Sequence, residues 1–141
     1  MTDKLQALLL GYIKENNPEL LLQLEQDDAL HAWVLDKIRE VEMVLLDAKP
    51  NLPNETDCME MLTADLKPSK FRYVRDLFET EFTYAFDRML EAGTLTYELV
   101  NMVSACHTLF EDMPLVEDIE NPHLDHAVAG VINDYLQGEY E

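Results

Sequence analysis

The sequence has only four glycines and two cysteines, no long apolar run, and no lysine or arginine beyond Arg88. Scarce glycine, without a single Asn-Gly or Asp-Gly pair, removes the usual two-residue hairpin turns and argues against an antiparallel β fold. Cys58 and Cys106 lie far apart, and neither belongs to a Cys-x-x-Cys pair. They read as buried free thiols, the pattern of a reducing cytoplasm. The longest stretch free of charged side chains is the twelve residues Leu99–Phe110, short of the roughly 18 that a membrane span requires. The run Leu5–Leu10 follows Asp3 and Lys4 and meets no small-residue cleavage site, so it is expected as an amphipathic helix and not as a signal peptide. Glycine-rich phosphate loops are missing too, since neither Gly-x-x-x-x-Gly-Lys nor Gly-x-Gly-x-x-Gly occurs.

What is present in quantity is apolar and acidic. Apolar residues make up 48% of the 141, enough to bury a core in a single domain spanning 1–141. Acidic residues outnumber basic ones by 29 to 10, a net charge of −19. Affinity for nucleic-acid phosphate comes largely from cations that displace counterions, so direct nucleic-acid binding is not expected. An anionic membrane surface is disfavoured for the same reason. The charge is also uneven: residues 89–141 hold eleven acids and no cation, whereas the first 88 carry −8.

Apolar residues recur at three and four positions, the period of a helix. The pattern predicts an all-α fold, a single compact bundle of about five to seven helices, two of them long (about 29–48 and 69–92). The first helix, about 2–15, groups Leu5, Leu8, Leu9, Tyr12 and Ile13, and ends at Asn16-Asn17-Pro18. Asp27 or Asp28 is placed to cap the first long helix, with its stripe of Leu30, Trp33 or Val34, Ile38, Val41 and Leu45. The second long helix starts at Pro68 or Ser69, carries Phe71, Val74, Phe78, Phe82, Ala85 and Met89, and stops at Gly93. Beyond it, Thr94 caps a helix reaching Phe110. Asn121-Pro122 opens a last helix that Gly138 closes.

Several segments resemble an uncharacterised bacterial family of small, acidic, all-helical proteins, a domain of unknown function often encoded near mobile elements. The matching pieces are Tyr12-Ile13-Lys14-Glu15-Asn16-Asn17-Pro18-Glu19-Leu20, Leu66-Lys67-Pro68-Ser69-Lys70-Phe71, Leu77-Phe78-Glu79-Thr80-Glu81-Phe82, and Leu109-Phe110 followed by Leu115 and Glu117-Asp118. They track most of the chain in order, while the stretch 50–56 departs from the pattern. The resemblance implies a helical protein and brings no catalytic residues.

Candidate chemistry is thin. His123 and His126 share a helical face, the one paired-histidine spacing that could reach a metal, but Pro122 places Glu120 outside that helix and no second Glu-x-x-His exists. No metal or other cofactor is therefore expected. Ser104, His107 and Glu111 follow one another on a single helical face, where three side chains cannot converge as a catalytic triad does. No catalytic residue is assigned, and an enzyme is not expected.

The one basic cluster, Lys67, Lys70, Arg72 and Arg75, sits at a helix N-terminus, where the macrodipole disfavours cations. Arg72–Asp76 and Arg75–Glu79 have the spacing of intrahelical pairs. The basic cluster is expected near the acidic segment that holds Glu111, Asp112, Glu117, Asp118 and Glu120. These nine residues are the interaction candidates. Two functions fit them: a non-enzymatic helical module that binds a protein partner or itself, or a DNA mimic whose carboxylates occupy a nucleic-acid-binding protein. A mimic needs carboxylates in line and binding that collapses with salt; a module needs exposed apolar surface.

Overall fold

The structure, a computed structural model, describes residues 2–47 and 55–140, without the side chains of residues 2, 45–47, 55, 139 and 140. Among the described residues the fold is all-α, with nine α-helices, one short 3₁₀ turn and no strand. They group into two compact units, 1–67 and 68–141, each with its own apolar core.

The first unit contains α1 (Thr2–Asn16), α2 (Pro18–Gln26), α3 (Leu30–Asp47), α4 (Glu55–Thr63) and a 3₁₀ turn (Ala64–Leu66). Its core follows the helical period: Leu5, Leu9 and Ile13 from α1, Val34, Ile38 and Val41 from α3, Cys58 and Leu62 from α4. Leu8 falls outside this face and is 40% exposed. Buried Asn17 joins α1 to α2 and donates its side-chain amide to the Leu66 carbonyl. Neither Asp27 nor Asp28 caps α3. Asp27 ends α2, Asp28 turns left-handed at φ 54°, and the Ala29 carbonyl accepts the first α3 bond from Trp33.

The second unit contains α5 (Lys70–Glu81), α6 (Thr83–Ala92), α7 (Leu95–Ala105), α8 (His107–Asp112) and α9 (Pro122–Tyr140). The long helix expected over 69–92 is thus two helices, with Phe82 at φ −130° and ψ 48° between them. The hydroxyls of Thr80 and Thr83 bond the carbonyls of Asp76 and Glu79, and such back-bonding competes with the helical ladder and bends it. The bend brings Phe86 into the core beside Phe78, ring centres 6.0 Å apart, and leaves Phe82 half-buried. The helix expected to run from Thr94 to Phe110 likewise breaks at Cys106, giving α7 and α8. At the other end, α9 runs through Gly138 to Tyr140 instead of stopping there.

The caps that form are built from side chains suited to them. Ser69 accepts the Arg72 amide at 3.0 Å, and Asn121 accepts the Leu124 amide at 3.2 Å ahead of Pro122. Gly93, at φ 76°, ends α6 in a Schellman motif: its amide bonds Leu90 and the Thr94 amide bonds Met89. A Cβ at position 93 would meet nothing within 4 Å, so only the left-handed backbone requires glycine. Gly93→Ala is expected to lower unfolding free energy in urea by about 1–2 kcal/mol. A neutral result would show that the position relaxes out of the left-handed region.

Candidate functional site

The acidic candidates occupy the end of α8 and the connection to α9, and all of them are exposed. Glu111 pairs with His107 across one helical turn at 2.8 Å, both side chains mostly in solvent. Between α8 and α9 the chain makes a tight turn in which the Ile119 amide bonds the Val116 carbonyl at 3.4 Å and Asp118 takes a left-handed φ of 64°. Aspartate tolerates that region better than most residues. The turn presents Val116 at 50% exposure and Ile119 at 65%, alternating with the exposed carboxylates of Glu117, Asp118 and Glu120. Two β-branched side chains held out among three acids form a mixed surface, apolar at its points and anionic between them.

The basic candidates take separate places. Lys67 closes the first unit. Lys70 lies with its ammonium 5.5 Å from the ring of Phe110, so the first turn of α5 meets α8 through a ring face. Arg75 turns to the Phe86 ring at 5.3 Å and, among the described residues, forms no ion pair with Glu79. Arg72 is exposed on the first turn of α5, where its amide is bound by the Ser69 cap.

His123 and His126 are both exposed on the first turns of α9, and no group of three His, Cys, Asp or Glu residues suited to a metal occurs among the described residues. Their neighbour Asp125 is engaged elsewhere: it accepts a 2.6 Å hydrogen bond from Tyr73 of α5. Ser104 and His107 fall on different helices because of the break at Cys106, and Ser104 is exposed.

Two tyrosine–carboxylate bonds escaped the sequence reading. Tyr73 donates to Asp125. Tyr135 of α9 donates to the buried Glu98 of α7 at 2.6 Å and accepts from Asn101 at 3.4 Å. The available signal was Tyr135 among the apolar residues of the last helix and Tyr73 beside the stripe of α5, since a buried phenol needs a partner. Burial, then the bond to Asp125 and its charge, holds the Tyr73 hydroxyl well above the ordinary phenol range. Burial also pushes the Cys106 thiol up to about 11.

Compared with protein-family models, curated proteins and solved structures, the chain matches none. No helix among the described residues is long and apolar enough to cross a membrane.

Both raised groups are neutral in the fold and give up their protons more readily once unfolded. The stability they contribute is therefore present below the ordinary thiol value of 9 and lost as pH rises toward about 11, with Tyr73 adding to the loss above 10. The urea midpoint should fall across that window, and Cys106→Ala should make the fall shallower. An equally steep fall in the variant would remove Cys106 as a cause.

Proposed function

We infer that the protein is a non-enzymatic acidic interaction module that binds a protein partner through the turn between α8 and α9. The observation that carries this reading is the exposure of Val116 and Ile119 amid Glu117, Asp118 and Glu120. Exposed apolar anchors rimmed by charge are what a protein interface uses, the anchors supplying affinity and the charges steering approach. The complementary partner surface is apolar with a basic rim. A DNA mimic, the alternative, has no use for Val116 and Ile119, because phosphate imitation requires carboxylates alone. The resemblance to the acidic helical family fits either reading, as does a reducing cytoplasmic setting.

The test uses the full chain as bait in lysate of its native cell, beside the double variant Val116→Ser/Ile119→Ser and the triple variant Glu117→Gln/Asp118→Asn/Glu120→Gln. A partner captured by the wild type should fall about tenfold or more with the serine variant, as expected when two apolar anchors are lost. Capture should persist in part at high salt. Capture untouched by the serine variant but abolished by the amide variant, or by salt alone, would overturn the module in favour of the mimic. Circular dichroism of each variant checks that the fold is kept.

A further inference from the structure

A second feature of the same unit is independent of the acidic turn. Tyr84, Arg88, Met89 and Ala92 of α6, Thr94 after it and Leu136 of α9 line an open groove of about 520 Å³. That volume lies within the range of small-molecule sites. With Ala85 beside them, the walls are a ring, three aliphatic surfaces and a thioether, and among the described residues the lining contains one charged group, Arg88.

Arg88 stands out in this chain. It is the last cation in this acidic sequence, and among the described residues it makes no ion pair. Its guanidinium instead lies over the Tyr84 ring, 5.7 Å from the centre and one helical turn away. A ring contact of this kind engages no carboxylate, and a guanidinium can take one in a two-point contact through its N–H groups. Thr94 adds a hydroxyl that makes no capping bond to α7. Asp87 and Glu91 lie on the same helix but not in the lining, so among the described residues no carboxylate of the groove competes for Arg88.

From this complementarity we propose that the groove binds a small apolar monocarboxylate, its carboxylate on Arg88 and Thr94 and its hydrocarbon body against Met89, Ala92 and Leu136. A peptide helix fits less well, because helix docking uses anchors spread over two turns and longer along a continuous groove. A small ligand also brings a single negative charge toward a chain of −19, where an acidic partner protein would bring many.

The experiment titrates the full chain with decanoate below its micelle concentration and, in parallel, with 1-decanol, following methionine methyl resonances by NMR. Binding should shift the Met89 methyl saturably and leave Met61 of the first unit unmoved. Arg88→Gln, a change at an exposed position, should weaken decanoate about tenfold, the effect of losing one charged hydrogen-bonding partner, and leave 1-decanol unchanged. Any of three results would overturn the proposal: no saturable shift at Met89, equal affinity for decanoate and 1-decanol, or shifts at Met61 matching those at Met89. A second variant, Ala92→Phe, should block the groove while keeping the helical spectrum, and unimpaired decanoate binding in it would likewise reject this site.

Discussion

A carboxylate withdrawn from water needs a donor, and residues 89–141 contain no lysine or arginine to provide one. The second unit answers with tyrosine. Tyr73 reaches Asp125 near the start of α9, and Tyr135 near its end reaches Glu98, each at 2.6 Å. The polarity reverses along the helix: α9 accepts at one end and donates at the other. Between these two points Val128 and Ile132 are fully buried, as is Leu124 just before the first. An apolar stripe fixes which face of a helix turns inward but leaves its axial position loosely defined. Two directional bonds to different helices, each worth about 1.5–3 kcal/mol because one partner is charged, set that position.

Cations are correspondingly spent on rings. Lys70, Arg75 and Arg88 lie over Phe110, Phe86 and Tyr84. The first unit has more conventional means: Lys37, its side chain only 11% exposed, is hydrogen-bonded to Asp65 and packs beside Trp33. In the second unit a cation resting on an aromatic face neutralises no carboxylate. A carboxylate without a cation beside it sets up a stronger negative potential in its own vicinity, although the net charge of the chain is the same wherever the cations sit.

The helical class and most core positions were legible because both depend on period alone. Leu5, Leu9, Ile13, Ile38, Val41, Phe71, Val74, Phe78 and Met89 are buried where the spacing puts them. Caps were legible where the side chain fits one role, as at Ser69, Gly93 and Asn121. They were not at Asp28, where the same residue type serves either as a cap or in a left-handed turn, and the structure takes the turn. The break at Phe82 carries no glycine or proline. It arises from threonine hydroxyls whose choice between solvent and backbone depends on the packing of Phe78 and Phe86. At the site, the acidic run was plain from sequence, but the outward facing of Val116 and Ile119 was not. Residues 115–120 read as an acidic linker, which leaves the direction of its apolar side chains open, and the turn at Asp118 sets these two outside.

On the proposed reading, that turn divides the work of recognition between two kinds of force. Carboxylates act at range and are screened over about 8 Å at physiological ionic strength, so they govern the rate and orientation of encounter. Val116 and Ile119 act only in contact, where burying them slows dissociation. A purely acidic turn would gather cationic surfaces of every kind, and a purely apolar one would invite aggregation. Placed together on a turn whose backbone is held left-handed at Asp118, they favour a partner that offers apolar sockets inside a basic rim. The strong net charge then works as a filter: it repels anionic surfaces before the apolar contacts can form.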